Sequence, residues 1–215
     1  MFGQGVNAAA RRRFTERRRR GDVSPGMDRG EKAMDEDVRM RGTAHVPVTI
    51  RRAVAADLPA LEWHGLYTPM REVIAAAYRA QERGDGLMLL ADANGFPAGQ
   101  AWIDFARKAH LGLATLWAVR IYPPFQRGGL GTLLMRAAER AVLARGVAEA
   151  ELGVDRDNAG VLRFYGALGY TTVGTESGTF AYRTPDGRTI EVAVDQWLLR
   201  KRLAAEGVAT LRRLG

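Results

Sequence analysis

The segment WAVRIYPPFQRGGLGT, residues 117–132, places a glycine-rich turn between an apolar strand and a long helix. Residues 113–121 are apolar and extended in character, whereas residues 130–144 are amphipathic with a helical period and are closed by Gly146. Glycines let the backbone approach a ligand closely, and the first N–H groups of a helix have no partner within it. The segment is therefore predicted to hold an anionic group such as a phosphate.

The glycines of this turn do not follow the spacing of the commoner phosphate loops. A Walker loop needs lysine followed by serine or threonine, and a dinucleotide fingerprint needs G-x-G-x-x-G; residues 126–132 contain neither. The turn instead matches Gln-x-x-Gly-x-Gly through Gln126, Gly129 and Gly131. The pattern thus predicts a phosphate site of another kind.

A second junction of strand and helix follows along the chain. Residues 148–154 predict a strand, and residues 158–168 predict a helix that Asn158 caps and Gly169 ends. Tyr165 lies seven residues after Asn158, which is nearly two helical turns. The two side chains are therefore expected on roughly one face of the helix.

Taken together, these two segments resemble the signature of the GNAT superfamily of N-acetyltransferases. Gln126, Gly129 and Gly131 resemble the [Arg/Gln]-x-x-Gly-x-[Gly/Ala] element with which the family holds the pyrophosphate of acyl-CoA. The preceding residues 121–125, Ile-Tyr-Pro-Pro-Phe, resemble its Val-x-Pro-x-Tyr lead-in.

Residues 158–170 resemble the second family pattern, Asn-x-x-Ala-x-x-x-Tyr-x-x-x-Gly-Phe. The chain departs from that pattern at Gly160 and Val161, around its alanine, and has Tyr170 in place of the final aromatic. Both patterns occur in the family's order, and each lies between a predicted strand and a predicted helix.

The resemblance spans roughly residues 48–202 and implies the GNAT fold, an α/β (α+β) architecture. Its central sheet is mixed, mostly antiparallel and twisted, with helices on both faces and one parallel strand pair that splays apart. The implied activity is acyl-CoA-dependent N-acyl transfer, with acetyl-CoA as the expected donor and a primary amine as the acceptor. The amine attacks the thioester directly, without a covalent enzyme intermediate, and no metal is needed.

The resemblance also implies roles for individual residues. The backbone of Val119 and Ile121 would bind the pantetheine arm, and Tyr165 would protonate the departing thiolate as a general acid. The full set implied to bind the cofactor is Val119, Ile121, Gln126, Arg127, Gly128, Gly129, Leu130, Gly131, Thr132 and Asn158.

No general base can be chosen from the sequence, because residues 113–121 contain no carboxylate. Four candidates stay open without a ranking: Glu62, His64, Asp104 and Glu151. The acceptor also stays open between a small-molecule amine and a peptide amine, and so does the oligomeric state, with a homodimer as one option.

The remaining patterns predict the elements that surround these motifs. Before the glycine-rich turn they indicate a strand over 46–52, a helix from Asp57 towards His64 and a helix that Thr68 caps and Gly84 ends. A hairpin of 87–91 and 98–105 follows around Asn94-Gly95. After the second motif they indicate strands over 170–174 and 190–199, separated by a turn at 185–187, and a charged C-terminal helix.

Composition and charge exclude several functions. The chain has no cysteine, so disulfide frameworks and cysteine nucleophiles are excluded. The formal net charge is +8, but residues 1–45 hold 11 Arg and Lys against 7 Asp and Glu, so about half of the excess lies there. Nucleic acid is therefore not expected as a partner, and without an apolar span a cytoplasmic protein is expected.

The same patterns predict a domain organisation. Residues 1–45 are expected to be a disordered basic tail, residues 46–202 the acetyltransferase domain and residues 203–215 a C-terminal extension. Met27, Met34 and Met40 leave open a later translation start. The alternative function is a non-catalytic module with this fold that binds acyl-CoA without turnover.

Overall fold

The computed structural model describes residues 45–204, which form seven strands and three α-helices. The strands are β1 Val48–Arg52, β2 Gly86–Ala93, β3 Phe96–Asp104, β4 Leu113–Ile121, β5 Glu149–Asp155, β6 Thr171–Arg183 and β7 Thr189–Arg202. The helices are α1 Arg71–Arg83, α2 Leu130–Ala144 and α3 Ala159–Ala167. The predicted tail, apart from its last residue, and most of the predicted C-terminal extension and helix lie outside the described residues.

All seven strands form one sheet in the order β1-β2-β3-β4-β5-β7-β6. Only β4 and β5 pair in parallel within the described range, because α2 carries the chain back to the edge where β4 began. The other neighbours are antiparallel. The predicted mixed, mostly antiparallel sheet with one parallel pair is confirmed.

The parallel pair comes apart along its length. β4 and β5 are in register from Leu113 opposite Glu149 to Leu116 opposite Leu152, and no further. Beyond that point β4 stays paired with β3 and β5 stays paired with β7. A cleft therefore opens between the two strands, which we call the β4–β5 cleft.

A bulge in β4 coincides with the start of the cleft. Trp102 of β3 pairs with Trp117, but the next pair, Gln100 with Arg120, shows that β4 has gained one residue. Ala118 holds the extra position with φ 50°, a left-handed value that is uncommon for a residue with a side chain. The bulge bends β4 away from the line of β5.

The sheet has a separate apolar core on each face. On the first face the helical spacing of Leu134, Met135, Ala138 and Val142 packs α2 onto the strands, and α3 adds Tyr165 to this cluster. On the second face α1 and the turns before it cover the sheet with buried side chains, including Trp63, Tyr67, Met70 and Ile74. The helices thus lie on both faces, as predicted.

The predicted helix from Asp57 towards His64 is wrong. The chain forms two short 3₁₀ turns, Ala55–Asp57 and Ala60–Glu62, and then Trp63 and His64 adopt left-handed φ values of 44° and 55°. Pro59 between the turns cannot donate to a helical ladder. The Asp57 carboxylate accepts instead from the Val54 amide and the Arg51 guanidinium, both at 2.7 Å.

The predicted start of the next helix is also wrong in detail. Thr68 opens a 3₁₀ turn, Thr68–Met70, and its hydroxyl donates to Glu62 instead of capping a helix. The helix α1 begins at Arg71 and ends, as predicted, at Gly84 with φ 84°.

The last hairpin is longer than its predicted strands. β6 extends to Arg183 because it pairs with β7 along its length, although residues 171–183 carry polar and glycine residues that give no apolar alternation. The predicted turn at 185–187 is present, with Gly187 at φ 84° donating its N–H to the Thr184 carbonyl. Within residues 45–204, no helix is both long enough and apolar enough to cross a membrane.

Candidate active site

The glycine-rich turn leaves the end of β4 and opens α2. The side-chain Nε2 atom of Gln126 donates to the Ile121 carbonyl at 2.9 Å and so holds the turn against the end of the strand. Arg127 and Gly129 have φ values of 67° and 80°, which turn the backbone sharply. Gly129 is the N-cap of α2 and no side chain caps the helix. The N–H groups of residues 130–132 are therefore available to an anionic ligand.

Gly129 and Gly131 are glycines for different physical reasons. A Cβ on Gly129 would meet nothing within 4 Å, so its glycine is required by the positive φ and not by crowding within the protein. A Cβ on Gly131 would contact Phe164 of α3 at 3.4 Å and Ile121 at 3.8 Å. Gly131 thus allows α2 to pack closely against α3 and the end of β4.

The second motif forms the helix that its sequence predicts. The Asn158 Oδ1 atom accepts from the Val161 amide at 3.2 Å, so the predicted cap is confirmed. Tyr165 is only 1% exposed and belongs to the same apolar cluster as Val119 and Val154, which flank the cleft on the first face. Its ring meets that of Tyr170 edge to face, with centroids 5.7 Å apart.

The second face of the cleft carries a carboxylate that sequence reasoning missed. Asp155 is the last residue of β5, and its Oδ1 accepts from the Gln196 Nε2 atom of β7 at 2.7 Å. Burial raises the pKa of Asp155 and Asp157 raises it further, while the bond from Gln196 lowers it in part. The available signal was its place at the end of the strand that pairs in parallel with β4.

Gly153 makes this hydrogen bond possible. A Cβ at Gly153 would overlap the Gln196 Oε1 atom, so only glycine leaves room for the amide to lie across β5. Gln196 is 2% exposed and therefore has little freedom to move aside. Gly153, Gln196 and Trp117 also line a small cavity of about 20 Å³ beside the cleft.

Glu151, one of the four predicted base candidates, lies on this face below the cleft and is ion-paired. Its side chain is 2% exposed and accepts from the Lys108 ammonium and, at 2.8 Å, from the Arg200 guanidinium. Burial alone would raise the pKa of Glu151, but the bonds from Lys108 and Arg200 lower it below its usual value. The carboxylate is held ionised by two cations, which makes it a weak proton acceptor.

The other three predicted candidates also have contacts of their own. The bond from Arg71 is the main reason that the pKa of Glu62 is lowered, against the opposing effect of burial. Asp104 accepts from two backbone amides at 2.9 Å, and the His64 ring stacks on Phe96 with centroids 5.9 Å apart. Among the described residues no group of His, Cys, Asp and Glu could hold a metal ion.

Comparison with known proteins connects this geometry to one family. The model of the acetyltransferase (GNAT) family matches residues 56–170. Mycothiol acetyltransferase from Saccharomonospora viridis is 30% identical over 154 residues, which is 66% of this chain and 49% of that protein. The chain thus spans about half the length of this curated relative.

Solved structures share the fold. The ribosomal-protein-S18-alanine N-acetyltransferase from Escherichia coli is 24% identical with a TM-score of 0.56, covering 76% of this chain and 98% of that one. YncA, a putative acetyltransferase from Salmonella typhimurium solved with acetyl-CoA, is 20% identical with a TM-score of 0.58, covering 74% and 95%. At these identities the likeness concerns the fold.

The turn predicts a specific mutational result at Gly129. Replacing Gly129 by alanine places a side chain at φ 80° and should cost roughly 1–2 kcal/mol of stability. It should also weaken binding of coenzyme A, because the strained residue displaces the amides at the start of α2. Calorimetric titration with coenzyme A and thermal unfolding would measure the two effects.

Gly146 offers a matched control at the other end of the same helix. Its φ is 76° and a Cβ there would also meet nothing within 4 Å. Gly146→Ala should lose similar stability and bind coenzyme A as the wild type does. Equal weakening in both variants would show that Gly129 has no special place in ligand binding.

The ion pairs of Glu151 predict a loss of stability on neutralisation. Glu151→Gln should lower the free energy of unfolding by about 3 kcal/mol, the lower end for a broken buried pair, since Lys108 and Arg200 remain partly exposed. The pKa of Glu151 is lowered in the folded state, so its contribution is complete above the unfolded pKa and is lost as pH falls through the folded pKa.

Denaturant unfolding at neutral and acidic pH would test this, with Glu82→Gln as the control. Glu82 pairs with Arg52 at 3.3 Å, but both side chains are 56% exposed, so the loss should stay below about 1 kcal/mol. A Glu151→Gln protein as stable as wild type would remove the structural role given to this carboxylate.

Proposed function

Because this chain belongs to the acetyltransferase (GNAT) family, we propose that it transfers acetyl from acetyl-CoA to a primary amine. The observation that carries the proposal is the β4–β5 cleft, whose β4 edge leads through Ile121 and the glycine-rich turn to the uncapped N-terminus of α2. An acyl-CoA has an anionic pyrophosphate and a long thioester arm, and these two features meet an anion site and an open strand edge.

In the proposed binding mode the pyrophosphate lies at the glycine-rich turn, against the N–H groups of residues 127–132. The pantetheine arm follows the edge of β4 at Val119 and Ile121, where β5 no longer pairs with it. Gln126 and Asn158 support the site by holding the turn and the start of α3. The thioester then lies within the cleft, with one side open to each face of the sheet.

The proposed reaction is direct attack. The neutral amine nitrogen forms a bond to the acetyl carbon, the carbon–sulfur bond breaks, and the electron pair leaves with sulfur. The thiolate takes a proton from the Tyr165 hydroxyl, which packs on the first face with Val119 and Val154. The amine gives up its own proton to a base, and no covalent enzyme intermediate forms.

Asp155 is our proposed base. It lies on the second face, since its neighbour Val154 packs into the first, and it ends β5 at the cleft. The raised pKa of this carboxylate, caused mainly by burial, brings it closer to the working range of a general base. Acid and base would then act from opposite faces of the sheet.

The direct test of function is release of free thiol from acetyl-CoA across a panel of primary amines, with mass spectrometry of the product. Amine-dependent release with a product heavier by one acetyl group is expected. Tight binding of acetyl-CoA without release in the presence of any amine would favour the alternative, a module that binds acyl-CoA without turnover.

Tyr165→Phe should separate chemistry from packing. The ring stays in the core, so binding of acetyl-CoA should change little, while kcat should fall about 10²–10⁴-fold if the hydroxyl is the general acid. Tyr170→Phe is the control, because it is a second buried tyrosine whose ring touches that of Tyr165. If Tyr165→Phe keeps a third or more of the wild-type kcat, the role of Tyr165 is wrong.

Gln196→Leu should shift the pH dependence of turnover. The bond from Gln196 lowers the pKa of Asp155, so its removal should raise that pKa. A base must be deprotonated, so activity rises with pH through this pKa and the acidic limb of kcat/KM should move to higher pH. Asp155→Asn should remove the limb; a limb unchanged in both variants would exclude Asp155 as the base.

A further inference from the structure

Arg120 of β4 is a buried cation with no carboxylate partner among the described residues. Its side chain lies on the second face of the sheet, and 8% of the residue is exposed. The guanidinium carbon is 4.3 Å from the centroid of the Tyr67 ring and 6.0 Å from that of Trp102. Burial lowers the pKa of Arg120, yet a guanidinium stays charged at neutral pH.

The other buried ionised group among the described residues is paired. Glu151, 2% exposed, has two cations, Lys108 and Arg200. A buried charge without a partner costs several kcal/mol, more than stacking on a ring returns. Arg120 therefore needs an anion that the described chain does not supply.

The groups beside Arg120 also lack hydrogen-bond partners. Gln100 is its cross-strand neighbour on β3 and is fully buried, and neither amide atom of its side chain has a partner. The buried indole nitrogen of Trp102 likewise has none within the described part of the chain. We call Arg120, Gln100 and Trp102 the Arg120 cluster; it combines one cation with three unused N–H bonds, two from the amide and one from the indole.

The Arg120 cluster lies across the cleft from Asp155. The last parallel pair is Leu116 with Leu152, and Asp155 follows three residues later. Arg120 follows Leu116 by four residues, one of which is the extra residue of the bulge at Ala118. Both side chains therefore lie at about the same height, on opposite sides of the cleft.

They also share the second face. Arg120 contacts Trp102, whose strand partner is Trp117, and Trp117 lines the small cavity together with Gly153, two residues before Asp155. Among the ion pairs of the described residues, none joins Arg120 to Asp155. A cation on β4 and a carboxylate on β5 thus lie on the same face of the sheet, on either side of the cleft.

We propose that the acceptor amine carries a carboxylate, as a free amino acid does. This inference rests on the proposed function: Asp155 receives the proton of the amine, and the Arg120 cluster binds the carboxylate of the same molecule. The anion then supplies the missing partner of Arg120, and a charge-assisted pair of this kind is stronger than a neutral hydrogen bond. A polyamine, with only positive charges, would be repelled by the same arginine.

The test compares each amino acid with its own amide, in which an uncharged group of nearly the same size replaces the carboxylate. The comparison is made at a pH at which both amines are largely neutral. The panel contains α-, β- and γ-amino acids, so that the spacing of amine and carboxylate is varied. The wild-type kcat/KM should be about 10- to 100-fold higher for the best amino acid than for its amide, the range expected for a hydrogen bond to a charged group.

Arg120→Met should remove most of this preference, mainly through KM for the amino acid. Arg120→Lys keeps the charge and should keep part of the preference, which guards against a Met variant that fails to fold. Arg145→Met is the matched control, since the Arg145 guanidinium also stacks on a ring, Phe105 at 4.7 Å, but lies beyond the other end of α2. It should leave the preference unchanged.

The outcomes separate this inference from the proposed function. If the wild type acetylates amines but uses amides and amino acids equally well, the inference is overturned and the function stands. If no amine is acetylated, the amino acid and its amide are each titrated calorimetrically into the protein with coenzyme A bound. Binding of the amino acid at least tenfold more tightly than its amide supports the Arg120 site, and equal binding overturns it. Equal loss on both substrates in Arg120→Met would also overturn it.

Discussion

The parting of β4 from β5 is the constraint on which the rest of this structure depends. A parallel pair normally satisfies the backbone groups of both strands, so its interruption after Leu116 and Leu152 exposes an edge in the middle of a sheet. The bulge at Ala118 maintains the separation, while β3 and β7 hold the outer edges of the two strands. The protein thereby keeps a strand edge open in the middle of its sheet.

The same opening explains why two nearby carboxylates of β5 differ in chemistry. Glu151 lies where the strands are still paired, and Lys108 and Arg200 reach it and hold it ionised. Asp155 lies four residues further, at the cleft, where burial dominates and an uncharged amide is its main partner. Position along one strand therefore separates a structural carboxylate from one suited to accept a proton.

Much of the fold could be predicted from the sequence, because its signals are local. The glycine turn before α2, the Asn158 cap and the Asn94-Gly95 hairpin each follow from backbone preferences of a few residues. The turns at residues 55–62 could not, since Pro59 and the contacts of Asp57 override an apparent helix. Asp155 and Arg120 could not be predicted for a further reason: the roles proposed for them arise from strand pairing and burial, which depend on distant parts of the chain.

The hydrogen bond between Gln196 and Asp155 depends on the absence of a side chain at Gly153. This glycine has no functional group, yet the amide of Gln196 can reach Asp155 only because position 153 carries a hydrogen atom where other residues carry carbon. A Cβ at position 153 would displace the Gln196 amide, and loss of its bond would raise the pKa of Asp155. The pKa of a half-buried carboxylate therefore depends on the small volume of a residue two positions earlier on the same strand. A substitution there would shift the pH range in which the proposed base is active, although it replaces no group that takes part in the reaction.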